Sequence, residues 1–287
     1  MTKHFSPSAI ASDAANHVAR WAALLAVACF VAPAATTPEA SLLERVGERA
    51  KQFWGELSSV AITEDLRQQK LDPKGKVLLN NHNTYDYLIT VRSDSEGMLV
   101  DESRLDTTKK KKKAPQGTLV STQGFAALLT IFHPQYQPSY AFKVEGEEEI
   151  AGRKLVRVTF VPRKGVPSPA VLALKGKDYP ITWEGTAWID PQSACVTRLD
   201  VHWKDPAAEL GLQSLSSEVQ YAPVSFRGQS EPYWLPTIAT IDVKTLHQHW
   251  RNTHEFSRHR LFNVETESTI GKAPIASAEK PEQPQQQ

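Results

Sequence analysis

The chain has 287 residues, and its 33 lysines and arginines nearly balance its 32 aspartates and glutamates. This length is sufficient for one large domain or two modest ones. The neutral balance argues against a nucleic-acid binder, because such proteins usually carry a basic excess on one face. No stretch of 18 consecutive apolar residues occurs, so the sequence predicts no integral membrane span once a leader is removed.

The first 34 residues have the layout of a secretory signal peptide. Lys3 and Arg20 supply positive charge, residues 21–32 are apolar, and Ala32-Pro33-Ala34 is an A-x-A-like cleavage site. We therefore expect cleavage near Ala34 and a location in the periplasm or outside the cell.

The two cysteines allow one alternative form of attachment. Leu25-Ala26-Val27-Ala28-Cys29 loosely resembles a bacterial lipobox, which would anchor the protein through lipidation of Cys29. Removal of the signal leaves Cys195 as the remaining cysteine, so no intrachain disulfide can form. Cys195 lies beside Val196 in a predicted strand, and we interpret it as a buried core residue rather than a nucleophile.

Residues 41–70 are predicted to form one long helix. Ser41 followed by Glu44 matches a capping box. Apolar residues then recur at intervals of three and four from Leu42 to Leu57, which is the spacing of an amphipathic helix. We expect this stripe to dock on a sheet; pairing with another protein and lying on a membrane surface are the alternatives.

From Tyr85 onward the apolar period changes to two, which predicts antiparallel strands with one covered face. Turn residues divide the pattern into four hairpins, over residues 85–100, 140–160, 186–203 and 234–266. Two short helical segments interrupt them, Thr122–His133 and part of Pro206–Ser217. The predicted single domain spans residues 35–270.

Two segments are predicted to be solvated. Five consecutive lysines, Lys109–Lys113, lie inside the predicted loop 106–117 and repel one another. This run could instead touch anionic lipid headgroups or an acidic protein partner. Residues 271–287 are rich in proline, glutamine, alanine and lysine, and we expect a disordered tail.

Catalytic motifs are absent from the sequence, so no enzyme activity and no cofactor is predicted. There is no G-x-S-x-G, P-loop, H-E-x-x-H, C-x-x-C or G-x-G-x-x-G pattern. Four of the nine histidines fall between His247 and His259. His247, His249 and His254 are weak candidates for a metal site, because two imidazoles on one face of a strand can bind a transition metal. Chance clustering on a solvated edge explains the same residues.

The third hairpin carries a family resemblance. Gly185-Thr186-Ala187-Trp188-Ile189-Asp190-Pro191, followed by Val196-Thr197-Arg198-Leu199, resembles the central hairpin of the LolA/LolB-like superfamily of periplasmic lipoprotein carriers and their RseB- and LppX-type relatives. The resemblance implies a mainly β (α+β) fold: an antiparallel, strongly curved sheet or half-barrel, with an N-terminal helix and short inserted helices covering its concave face. It also implies an acyl-chain cavity. The gating arginine of classical carriers has no match, and Arg157 and Arg198 are the strand arginines to examine.

The leading functional hypothesis is a non-catalytic envelope protein that binds a lipid or lipoprotein acyl chain for transport or sensing. The predicted lining of the concave face consists of Tyr140, Phe142, Val156, Val158, Phe160, Leu199, Val201 and Trp203. The alternative is a structural or protein-interaction module of the envelope with a filled core. A metal-dependent enzyme using the His247–His259 cluster is a distant third.

Overall fold

The structure is a computed structural model that describes residues 38–93, 98–108, 122–166, 168, 170–174, 177–206 and 208–262. The predicted signal peptide, Cys29, the lysine run Lys109–Lys113 and the predicted disordered tail lie outside the described residues.

One antiparallel sheet of ten strands dominates the described chain, and one α-helix precedes it. The elements are α1 (Pro38–Ser58), β1 (Val60–Leu71), β2 (Val77–Ser93), β3 (Met98–Asp106), a 3-10 helix (Phe125–Phe132), β4 (Tyr140–Ile150), β5 (Arg153–Pro162), β6 (Val171–Leu174), β7 (Lys177–Pro180), β8 (Trp183–Ile189), β9 (Val196–Trp203), β10 (Leu212–Val224), β11 (Tyr233–Thr245) and β12 (His249–Leu261). Two further 3-10 turns lie at Gln137–Ser139 and Ala208–Leu210. This arrangement confirms the predicted fold class.

The strand order is β3-β2-β1-β12-β11-β10-β9-β8-β5-β4, and β6 and β7 form a separate pair. Neighbours along the chain therefore pair almost throughout, as expected for hairpins. Two pairs join strands that are distant in the chain: β1 pairs with β12 as well as β2 and so joins the first strands to the last, and β5 pairs with β8.

The predicted helix 41–70 is wrong beyond Ser58, where α1 ends and β1 soon begins. Val60 and Ile62 are β-branched and alternate with smaller or polar residues, which favours a strand. Pairing with strands on both sides satisfies the backbone hydrogen bonds of β1. These tertiary contacts override any helical tendency in the second half of the predicted helix. The predicted capping box is also displaced, because α1 begins at Pro38 and Ser41 already lies within it.

The two predicted inserted helices are shorter than expected. The first is the 3-10 helix Phe125–Phe132, which ends just before His133 and Pro134. The second is limited to Ala208–Leu210, and β10 follows directly at Leu212. Leu215, Val219 and Tyr221 alternate on one face of β10, a period that the sequence interpretation missed.

The core lies on the sheet face that α1 covers, which we call the inner face. The apolar stripe of α1 is buried there, with Val46, Phe53 and Leu57 almost fully enclosed. The 3-10 helix Phe125–Phe132 contributes Leu129, Ile131 and Phe132 to the same core. No helix among the described residues is long and apolar enough to cross a membrane.

Gly185, the first residue of the sequence motif, lies where two strand backbones approach closely. It pairs with Val201 of β9, and a β-carbon built on Gly185 would lie 2.0 Å from the carbonyl oxygen of Asp200. That distance is far below a van der Waals contact, and the clashing atom belongs to the backbone. The motif therefore has a glycine at this position because any side chain would clash with the backbone of β9.

We predict that Gly185→Ala lowers the free energy of unfolding by about 1–3 kcal/mol, which is the usual cost of overpacking a core. Gly55→Ala is the matched control, because nothing lies within 4 Å of a β-carbon there and alanine favours the helix α1. Urea unfolding at neutral pH measures both variants. Equal stability of the two variants would contradict the proposed close approach.

Candidate functional site

The residues predicted to line the concave face lie together on the inner face. Tyr140, Val158 and Phe160 of β4 and β5 are buried, and so are Leu199, Val201 and Trp203 of β9. Val156 is buried, and Phe142 is partly buried against the same core. Their role in ligand binding stays a prediction.

Phe132 of the 3-10 helix fills the space above these residues. Its ring centroid lies 5.2 Å from that of Phe142 and 5.8 Å from that of Phe160. Tyr140 packs edge-on against Phe160 at 5.8 Å. This part of the inner face is therefore a packed aromatic cluster in the structure.

An apolar pocket of about 110 Å³ lies beside this cluster, between α1 and the starts of β9 and β11. Its apolar lining consists of Val46, Ala50, Phe53, Leu129, Ala194, Cys195, Val196, Pro232 and Trp234. An engineered cavity of about 150 Å³ in another protein takes up benzene, so a pocket of this size holds only a small apolar group unless it widens.

Four titratable residues line this pocket: Arg49, Glu231, Glu56 and Cys195. Burial raises the pKa of Glu56, although the backbone N–H of Trp234 donates to its carboxylate at 3.1 Å and Gln52 donates at 2.8 Å. Burial also raises the pKa of the Cys195 thiol, so the thiol is protonated at neutral pH and a poor nucleophile. The burial of Cys195 confirms its interpretation as a core residue.

Two arginines hold α1 to the turn between β8 and β9. Arg45 donates to the carbonyl oxygen of Pro191 at 3.0 Å, and Arg49 donates to that of Ser193 at 3.1 Å. These contacts are exposed and therefore individually weak, and Arg49 and Ser193 also line the pocket. Displacement of α1 would break them without exposing a buried charge.

A buried polar network occupies the other half of the inner face. Glu64 of β1 is fully buried and accepts from Arg104 of β3 at 2.5 and 3.0 Å. Nδ1 of His254 on β12 lies 2.6 Å from Glu64, and Arg104 also pairs with Glu102 at 2.9 Å. Burial alone would raise the pKa of Glu64, but the hydrogen bonds from His254 and Arg104 outweigh it and lower the pKa.

Chemistry fixes the direction of the hydrogen bonds in this network. An ionised Glu64 only accepts, so His254 donates through Nδ1. In the neutral imidazole, Nε2 of His254 then accepts from the hydroxyl of Thr122 at 2.8 Å, and Thr122 in turn accepts from the amide of Asn252 at 3.1 Å. Each of these contacts is between groups that are buried.

Carboxylate, imidazole and hydroxyl follow one another here in the order that serine hydrolases use. The void beside Thr122 and His254, however, measures about 10 Å³, enough for one water molecule at most. The enclosed network can hold a proton and fix the strands, but it leaves no room for a substrate.

The structure does not bring the three candidate metal-binding histidines together. His247 is exposed in the turn between β11 and β12. His249 contacts Asp242 on the outer face, whereas His254 faces inward, because five residues separate them on one strand. Among the described residues, no group of three histidine, cysteine, aspartate or glutamate side chains could hold a metal ion. These three weak candidates therefore do not share a site in the described part of the chain.

Neither strand arginine noted in the sequence enters the core. Arg157 is exposed on β5. Arg198 lies on the outer face, where it pairs with Asp200 at 2.8 Å and its guanidinium lies 4.7 Å from the ring centre of Trp188. The enclosed arginine is Arg104, which no motif in the sequence marks.

Comparison with known proteins finds similarity at the level of structure. No protein-family model matches the sequence, and no curated protein matches it. A LolA superfamily protein from Nitrosomonas europaea is 10% identical, with a TM-score of 0.39 over 77% of this chain and 94% of that chain. A DUF1329 family protein from Desulfovibrio piger is 12% identical, with a TM-score of 0.38 over 79% and 94%.

The lipoprotein LppX of Mycobacterium tuberculosis also matches, at 13% identity, with a TM-score of 0.23 over 78% of this chain and 98% of that chain. No ligand and no residue role is transferred from these proteins.

We predict that Glu64→Gln destabilises the protein by about 1.5–3 kcal/mol at pH 7, because it removes the charge-assisted hydrogen bonds of Glu64 while Glu102 still pairs with Arg104. The lowered pKa of Glu64 adds stability above its unfolded value of about 4.3, and this stability is lost as the pH falls below that value. Urea unfolding between pH 3 and 7 measures both effects. Glu255→Gln, at an exposed position of β12, is the control, and parallel pH profiles of wild type and Glu64→Gln would contradict the prediction.

Proposed function

We propose that the protein is a non-catalytic envelope protein that binds a lipid or lipoprotein acyl chain on the inner face of its sheet. The observation that carries the proposal is the apolar pocket between α1 and the sheet, which continues the aromatic core to the protein surface. The signal-peptide pattern of residues 1–34 supports export.

The way in which the inner face is covered also supports this function. Among the described elements, the cover consists of α1, the short 3-10 helix Phe125–Phe132 and the small β6–β7 pair, which contributes Leu172 and Tyr179. A cover made of several small pieces can move piece by piece, whereas one large second sheet would have to move as a whole. An acyl chain entering at the pocket would replace contacts of Ala50, Phe53 and Leu129 with its own methylenes.

The binding would be hydrophobic, at about 0.8 kcal/mol for each buried methylene. The chemistry of the pocket agrees with a passive role. Cys195 is protonated and Glu56 is held by two donors, so neither group is prepared to attack a bound molecule. An ester or amide in the pocket would therefore remain intact.

The packed aromatic cluster favours the second candidate, a protein-interaction module with a filled core. Phe132 occupies the space that a chain beside Phe142 and Phe160 would need. On this hypothesis the inner face is purely structural, and partners bind elsewhere. The two candidates differ in whether the 3-10 helix leaves the sheet.

We predict that the protein purified from a bacterial envelope carries a lipid-range mass in native mass spectrometry and takes up a fluorescent 16-carbon fatty acid saturably. Ala50→Phe fills the pocket and should weaken this uptake at least tenfold. Gln213→Phe, at an exposed position of β10, is the matched control. Bound fatty acid should also slow the alkylation of Cys195, which lines the pocket. A protein free of lipid that takes up no probe would refute the proposal.

Replacement of Lys109–Lys113 by five serines separates the two candidates. A carrier should keep its fatty-acid affinity within about twofold, because the apolar contacts of the pocket are unchanged. An electrostatic adaptor should instead lose its partner. Probe titration and quantitative co-purification from envelope extracts measure the two outcomes in one preparation.

A further inference from the structure

Two neighbouring turns at one end of the sheet present large apolar side chains to solvent. Val77 and Leu78 follow the turn between β1 and β2, and their side chains are 44% and 61% exposed. Leu246 lies in the turn between β11 and β12 and is 67% exposed. Single exposed leucines are common on protein surfaces, but a group at one end calls for an explanation.

Strand pairing places these turns close together. Leu71 at the end of β1 pairs with Val77 on one side and with His249 on the other. His249 in turn pairs with Lys244 of β11, which lies two residues before Leu246. Adjacent strands are about 4.8 Å apart, so the two turns are separated by roughly 10–15 Å.

Four lysines lie in or next to the two turns: Lys70, whose Nζ is 6.0 Å from the ring centre of Trp250, and Lys74, Lys76 and Lys244. None of them forms an ion pair with a carboxylate in the described part of the chain. The nearby carboxylate of Asp72 is already occupied, because it accepts the backbone N–H groups of Lys74 and Lys76 at 2.8 Å each. The end of the sheet thus carries free positive charge beside exposed apolar surface.

Both turns have a defined shape that keeps the apolar groups outside. Asp72 and the left-handed Gly75 close the first turn. In the second turn, the backbone N–H of Leu246 donates to Gly211 at 3.3 Å, and that of Gln248 donates to the hydroxyl of Thr245 at 3.0 Å. The leucines therefore project from hydrogen-bonded turns rather than from frayed chain ends.

We propose that this end of the sheet, which we call the docking end, binds the surface of an anionic phospholipid bilayer. Leu78 and Leu246 would enter the interfacial region while the lysines contact the lipid phosphates. Projecting tips suit a deformable bilayer, whereas a protein partner would more commonly meet a flat or grooved apolar surface. This inference does not depend on the acyl-chain pocket, which lies at the other end of β11.

Vesicle flotation tests the proposal with the full processed protein and two lipid compositions, phosphatidylcholine alone and phosphatidylcholine with 30% phosphatidylglycerol. We expect binding to the anionic vesicles, weakened by salt. Lys74→Glu with Lys76→Glu should reduce the affinity at least 25-fold, because each cation contributes about fivefold near an anionic surface. Leu78→Ser with Leu246→Ser should reduce it at least tenfold.

Two variants outside the docking end provide controls. Ile238→Ser removes an exposed apolar group from the outer face, and Arg227→Glu reverses an exposed charge between β10 and β11 at the opposite end. Both should bind vesicles like the wild type, and thermal unfolding should show that all variants fold. Absence of binding to anionic vesicles would overturn the proposal. Full binding of the leucine variant would also overturn it, because binding would then rest on charge attraction alone. The same holds if the docking-end variants lose a protein partner while the wild type binds no vesicles.

Discussion

The structure depends on the covering of one sheet face by very few elements. Ten strands share a single inner face, and the apolar stripe of α1 packs on it together with the 3-10 helix Phe125–Phe132 and the small β6–β7 pair. Leu128, Leu129, Ile131 and Phe132 of that short helix are buried, and exposing them would cost about 6–12 kcal/mol. A bound acyl chain with roughly 8–15 buried methylenes would offset this cost. The free energy gained by burying an acyl chain therefore matches the cost of displacing the helix. Without a ligand, nothing offsets that cost.

The inner face has two chemically different halves, and only one of them is suited to such an exchange. Around β4, β5, β8 and β9 the contacts are between aromatic and aliphatic groups, which are non-directional and can be replaced by methylenes. Around β1, β3 and β12, Glu64, Arg104 and His254 hold one another through short, directional bonds. Separating Glu64 from Arg104 and His254 would leave a buried carboxylate without its counter-charge and donors. The polar half thus fixes one side of the sheet while the aromatic half can rearrange.

Local sequence pattern was sufficient to predict the antiparallel hairpins, the apolar stripe of α1 and the inward side of β5 and β9. It failed where the answer depends on distant partners. β1 was read as helix because only its pairing with both β2 and β12 makes it a strand. Glu64, Arg104 and His254 come from three separate strands, so no spacing in the chain reveals their network. A weak signal existed, since Glu64 occupies an inward position between Ile62 and Leu66, where a charged residue needs a partner.

The pocket and the docking end lie at opposite ends of the same strand. Trp234 at the start of β11 lines the pocket, and Leu246 follows its last residue, so roughly 35–40 Å separate them at about 3.3 Å per residue. A bilayer is deformable at its surface but does not reach that far along a folded sheet. The pocket of a docked molecule would therefore face away from the bilayer, toward whatever delivers or receives the acyl chain. The two proposals assign separate tasks to the two ends: one holds the protein at a surface, and the other keeps its apolar site open to a partner on the far side.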